Sequence, residues 1–263
     1  MINLQELDIS NNKLHDISPL QYLVNLRKLQ MNQCSLQDII VLSYLKELEE
    51  LDLSANPNIN GLCFLHNLTK IKILCLNKCK LQKIASIQQF INLQQLELFG
   101  NQDLDITPLQ YLKQITKLIL NDCGIYDISP LGPLVNLKWL ELYGNQIINI
   151  DPLQQLVNLT YLDLSCNAVH DFSPISFMSQ QKSRICKTNN QCQSSTDAVD
   201  LARKMKRIYT TNFSLRQLNQ KRLSISARLY SKLDQISQKF NNYRMHFSNK
   251  LVLLTLNSGS DCQ

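Results

Sequence analysis

The sequence predicts an α/β solenoid: eight stacked strand-and-turn units sharing one parallel sheet with a concave face, followed by a basic helical region. Three observations predict it. The pattern L-x-x-L-x-L-x-x-N/C starts at Leu4, Leu26, Leu48, Ile71, Leu93, Ile115, Leu137 and Leu159, in steps of 22 residues with a single step of 23. Within each copy, alternating apolar residues, as in Leu137-Lys-Trp-Leu140-Glu-Leu142, turn one face of a short strand inward. No copy buries its apolar edge alone, so neighbours must stack.

Each part of the repeat has a physical task. The ninth position carries Asn12, Cys34, Asn56, Cys79, Asn101, Cys123, Asn145 and Asn167. It lies where the chain turns away from the strand, so Asn is expected to satisfy backbone groups left unpaired there. Cys is expected to stand in as a small buried group with a weak S–H donor. The second half carries Ser18-Pro19, Thr107-Pro108, Ser129-Pro130 and Ser173-Pro174, with Asp151-Pro152 in the same place. A hydroxyl or carboxylate at N-cap followed by Pro predicts a short helix or 3₁₀ turn. Repeats two to four lack this start, which predicts a looser convex side. The extra residue of the third repeat falls in Asn56-Pro57-Asn58-Ile59.

The L-x-x-L-x-L-x-x-N/C frame and the D-I-S/T-P-L run, as in Asp16 to Leu20 and Asp127 to Leu131, resemble the leucine-rich repeat family in its 22-residue class. That class includes the bacterial internalins and the regulatory subunit of the type-one protein phosphatase. The resemblance covers residues 1–178 and implies a horseshoe that holds a partner protein on its concave face, in one version a protein phosphatase. Residues 179–196, rich in Gln, Ser, Asn and Lys, read as a linker and 197–256 as a basic helical region. The chain starts where a previous repeat should end, since Asn3-Leu4 matches Asn25-Leu26 and Asn92-Leu93. A fragment, or an open end covered by a partner, is expected.

Charge divides the chain. Residues 1–179 hold 12 Lys+Arg and 17 Asp+Glu, whereas 180–263 hold 15 and 4. In the tail, Leu201, Met205 and Ile208 suit one amphipathic helix, and Ile225, Leu229, Leu233, Ile236, Phe240 and Tyr243 a second. Such helices cap the solenoid or make peripheral contact with an anionic membrane. No nucleic-acid-binding module is recognisable, so nucleic acid is not expected as a partner. The scattered cysteines, with no signal peptide and no long apolar run, suggest the cytoplasm, the nucleus being an alternative.

Candidate site residues come from the outward strand positions. The central one reads Asp8, Gln30, Asp52, Cys75, Glu97, Ile119, Glu141, Asp163 down the stack. Its acids form a spaced track rather than catalytic pairs. Aromatics gather beside it toward the C-terminal repeats as Phe99, Trp139, Tyr143 and Tyr161. Exposed aromatics rimmed by charge mark an interaction surface. These nine residues (Asp8, Asp52, Glu97, Phe99, Trp139, Glu141, Tyr143, Tyr161, Asp163) are the expected partner-binding face.

Competing chemistries are weak. Cys75-x-x-x-Cys79 has one residue facing out and one in, so no metal site is expected. His15-Asp16 and His170-Asp171 recur at one convex-loop position, as surface filling would. There is no phosphate-cradling loop, nucleophile elbow or HExxH motif, so no cofactor, catalytic residue or enzymatic activity is expected.

Overall fold

Alternation along each strand and stacking between copies produce a single sheet. In the computed structural model, which describes residues 3–180 and 185–188, nine three-residue strands pair in chain order, all parallel. They are β1 (Glu6–Asp8), β2 (Lys28–Gln30), β3 (Glu50–Asp52), β4 (Ile73–Cys75), β5 (Gln95–Glu97), β6 (Lys117–Ile119), β7 (Trp139–Glu141), β8 (Tyr161–Asp163) and β9 (Ile185–Lys187). The register places Leu7, Leu29, Leu51, Leu74, Leu96, Leu118, Leu140 and Leu162 opposite one another. From Leu29 onward they are fully buried, as are the frame leucines Leu48, Leu93, Leu137 and Leu159. Each such side chain contributes about 1.5–3 kcal/mol by leaving water. Leu4, Leu7 and Ile9 are only partly buried, since β1 has one paired neighbour among the described strands.

The convex side differs from expectation in its caps. Every repeat winds into 3₁₀ rather than α-helix, as at Ser18–Tyr22, Thr107–Tyr111 and Asp151–Gln155. The capping residues are Ile17, Ile106, Ile128 and Ile150, and no hydroxyl caps by side chain. Instead the carboxylate two residues before the segment accepts its first N–H: Asp16 from Ser18, Asp105 from Thr107, Asp127 from Ser129 and Asp171 from Ser173. Asn149 serves Asp151 likewise. The acid of D-I-S/T-P-L is thus the cap, because only its side chain reaches back over the turn. Repeats two to four wind as well, at Ile40–Tyr44, Leu62–Asn67 and Ala85–Gln89, without proline at the start. The extra residue of the third repeat is absorbed where expected, in a turn closed by Ile59 N–H donating to the Asn56 carbonyl.

From Cys34 onward the ninth-position ladder is buried and tied. Asn101 Oδ1 accepts the Cys79 and Leu81 N–H groups, and its Nδ2 donates to the Leu76 and Leu98 carbonyls. Asn56 and Asn145 repeat the same four bonds between their own pairs of repeats. Cys34, Cys79 and Cys123 donate Sγ–H to the carbonyls of Ile9, Leu53 and Leu98, and in place of a side-chain acceptor the Cys34 and Cys123 backbone carbonyls accept the Leu14 and Leu104 N–H groups. A second asparagine ladder runs along the opposite turn. Asn92, Asn136 and Asn158 donate to the carbonyls of Thr69, Lys113 and Val135 in the repeat before.

The eighth position is left-handed in all eight copies, at Asn11, Gln33, Ala55, Lys78, Gly100, Asp122, Gly144 and Cys166. Only two of these are glycine. At Gly144 a Cβ would land on the Asp122 carboxylate, so that glycine also makes room for its neighbour. Within the stretch read as linker, Ile185–Lys187 pairs with β8. The unpaired edge of β8 offers the N–H and C=O groups that a short segment without the leucine frame satisfies. The basic helical region of 197–256 lies outside the described residues.

Candidate functional site

All nine predicted residues lie on the outward face of the sheet or just past a strand end, in the expected order. Asp8, Asp52, Glu97, Glu141 and Asp163 hold the last positions of β1, β3, β5, β7 and β8. Phe99 and Tyr143 lie two residues beyond β5 and β7, while Trp139 and Tyr161 open β7 and β8. They form two groups. Trp139, Glu141, Tyr161 and Asp163 are direct register neighbours on β7 and β8, whereas Asp8 and Asp52 stand at the other end of the sheet.

Trp139 and Tyr161 stack with ring centroids 3.8 Å apart and planes 7° from parallel. Such a pair is worth about 0.5–1.5 kcal/mol beyond its buried area. The indole Nε1–H donates to Glu141 Oε1 at 2.7 Å, fixing the ring. Lys117 on β6 sits with Nζ 5.9 Å from the Trp139 ring and 3.6 Å from Glu97 Oε1. Trp139 still keeps 37% of its surface exposed. A large aromatic held this way has little rotamer freedom left to lose on contact.

The acids are held as well. Glu141 Oε2 accepts from Asn121 at 2.7 Å, and Glu97 from Asn77 and Gln95 at 3.0 and 2.8 Å. Asp52 accepts from Asn32 at 3.3 Å and from the Ser54 N–H. Asp8 and Asp163 accept the N–H groups of Ser10 and Ser165. A carboxylate offers about four acceptor positions, so these bonds orient the groups without exhausting them. Asn77 and Asn121 also accept the N–H groups of Phe99 and Tyr143, so one amide positions both an acid and an aromatic. Lys78 lies with Nζ 5.0 Å from the Phe99 ring.

Sequence reasoning missed Lys117, Lys78 and the asparagines Asn32, Asn77 and Asn121. The signal was present: Asn stands one strand before an acid in each case. Cys75 does face outward and Cys79 inward. Burial, then Glu97 and Asp52, push the Cys75 thiol far up; burial raises Cys79 and Cys123 to about 11. All three stay neutral and unreactive near pH 7. Asp16 and Asp171, the acids of the His-Asp pairs, are spent as caps on the convex side. Among the described residues no group of three His, Cys, Asp or Glu could hold a metal ion.

Comparison with known proteins gives one picture. A family of paired leucine-rich repeats matches residues 2–40 and 135–176. Among solved structures, an internalin from Listeria monocytogenes, InlF, is 28% identical over 72% of this chain, with a TM-score of 0.60. The chain spans 61% of that protein's length. Internalin C2 from the same organism is 31% identical, with 65% of this chain and 75% of that chain covered and a TM-score of 0.61. The chain belongs to the leucine-rich repeat family. As a leucine-rich repeat solenoid it is a protein-interaction module. No curated protein matches it.

Proposed function

We propose that the chain is a non-catalytic interaction module that holds a partner protein on its concave face. Contact centres on Trp139, Tyr143 and Tyr161, with Glu141 and Asp163 beside them and Phe99, Glu97, Asp52 and Asp8 extending the face. The observation that carries this is the Trp139–Tyr161 stack, partly exposed on a sheet and locked by Glu141. Rigid Trp and Tyr ringed by oriented charge form the usual centre of an interface.

The test is affinity capture with the full chain, comparing wild type with Trp139→Ala/Tyr161→Ala and with Tyr126→Ala on an exposed convex loop. Loss of the partner only in the concave variant, at unchanged circular dichroism, is the expected result. A partner kept by that variant removes the concave face from the reading. Regulation of a protein phosphatase is a narrower version that rests on the repeat-class resemblance. Unchanged activity of a type-one catalytic subunit on adding the chain would end it. Attachment to anionic membranes through 197–256 rests on the tail's excess of 15 Lys+Arg over 4 Asp+Glu in 180–263. Salt-sensitive sedimentation of the full chain with phosphatidylserine vesicles tests it.

A further inference from the structure

We propose that the occupant of the concave face is an extended polyproline-II segment of the partner, carrying a cationic side chain at every third residue. This rests on the concave-face reading above and goes further by stating the partner's chemistry and conformation.

The spacing comes from an alternation between repeats. Central acids stand on β1, β3, β5 and β7, as Asp8, Asp52, Glu97 and Glu141, while β2, β4 and β6 carry Gln30, Cys75 and Ile119 there; β8 adds Asp163 directly beside Glu141. From Asp8 to Glu141 successive charges are therefore two strands apart, about 9.6 Å along the sheet, and the Glu141–Asp163 pair doubles the charge at the last step. On a concave face the side chains converge, so their tips stand closer than that. Three residues of polyproline II advance about 9.3 Å and return a side chain to the same face. An added strand repeats its face every two residues, about 6.7 Å, and a helix returns after two turns, about 10.5 Å. One falls far short, and the other exceeds the spacing that convergence shortens.

The sign follows from the same face. At the first outward position Glu6 and Glu50 are balanced by Lys28 and Lys117, and Lys28 pairs with Glu50 at 2.7 Å. The net negative charge of the face is then that of the central acids alone. They are already aimed, because Asn32, Asn77 and Asn121 donate to Asp52, Glu97 and Glu141. Orientation fixed before binding lowers its entropic cost. At the C-terminal end of the track the partly exposed Trp139, stacked on Tyr161, adds aromatic surface of the kind that lines the grooves in which such segments dock.

The test measures fluorescence anisotropy of labelled peptides with the full chain at low salt. One peptide has arginine at every third position between prolines. A second has the same composition with its arginines clustered; a third has arginine at every second position on a strand-forming background. The spaced peptide is expected to bind at least about ten-fold tighter than either control. It should lose about ten-fold in Glu97→Gln/Glu141→Gln, whose amides keep the shape without the charge. Equal affinity for the clustered peptide, a tighter strand-type peptide, or no effect of the double variant would overturn the proposal. Those results, combined with partner loss on Trp139→Ala/Tyr161→Ala, would leave the interaction face standing. Failure of both experiments would remove both readings.

Discussion

Repeats with asparagine at the ninth position and repeats with cysteine there solve one problem in two ways. Asn56, Asn101 and Asn145 each make two acceptor and two donor bonds to buried backbone, three of the four across a repeat boundary. Cys34, Cys79 and Cys123 offer the preceding repeat a thiol donor and no side-chain acceptor; Leu14 and Leu104 N–H donate to the Cys34 and Cys123 backbone carbonyls instead. The N–H groups of each Cys repeat are themselves met by the Asn of the repeat that follows, as Cys34 and Leu36 are by Asn56. The difference reaches the surface. Asn repeats carry an acid at the centre of the strand, and Cys repeats carry a neutral residue there and an asparagine that holds the next acid. The structural unit is a pair of repeats, and the charge spacing of the concave face is inherited from it.

The largest effect should come from breaking the stronger half of that pair. Asn101→Ala leaves the buried Cys79 and Leu81 N–H groups and the Leu76 carbonyl unpaired, while the Leu98 carbonyl keeps the Cys123 thiol, at a cost of about 3–4 kcal/mol. Cys79→Ala removes one weak donor and little volume, about 1 kcal/mol. Urea unfolding at constant m-value compares them directly. Equal losses would mean that the two ladder chemistries are equivalent.

Next comes the turn that both repeat types share. Gly144→Ala places a Cβ against the Asp122 carboxylate at a left-handed residue, and should cost about 1–2 kcal/mol by the same measurement. Ala55→Gly, at the equivalent position with φ 57°, should be neutral or stabilising by less than about 1 kcal/mol. A loss at Ala55→Gly as large as that at Gly144→Ala would refute the left-handed requirement.

The smallest effects are set by protons. The Ser129 hydroxyl and N–H hold the Asp127 carboxyl below its ordinary value. A depressed folded-state value gives stability that is present above the unfolded-state pKa, about 3.9, and lost as pH falls through the folded one. Asp127→Asn should flatten the acid limb of the stability curve slightly and leave pH 7 unfolding nearly unchanged. Cys123, raised to about 11 by burial, runs the other way: its contribution is complete below the unfolded thiol value, about 8.5, and fades above it. Native protein at pH 8 should therefore resist alkylation at Cys79 and Cys123, as mass spectrometry would show.

The strands, the buried frame and the outward ladders were legible because they are written as a period of two inside a period of 22 residues. The turn chemistry was not. Ser18 looked like the cap because a hydroxyl before proline is the common start, but Asp16 accepts both the N–H and the hydroxyl of Ser18, so the cap lies two residues earlier. The left-handed eighth position was hidden by its residues, since Gln33, Ala55 and Lys78 do not advertise positive φ. The second asparagine ladder at Asn92, Asn136 and Asn158 was visible as a repeated letter, yet its bond crosses to a neighbouring repeat that only stacking defines. β9 was illegible for a related reason: Ile185–Lys187 carries no frame residues and owes its pairing to the edge of β8. On the candidate site, residue positions followed from the register, but the roles of Lys117, Asn77 and Asn121 needed the contacts.

The most direct test of the central claim, that the oriented aromatic and acidic residues of the concave face capture a partner, is one comparison. The dissociation constant of the captured partner is measured for wild type, Trp139→Ala/Tyr161→Ala and the convex control Tyr126→Ala. Loss of about 2 kcal/mol or more, roughly thirty-fold, in the concave variant alone is the expected result. Equal affinities for all three proteins would contradict it.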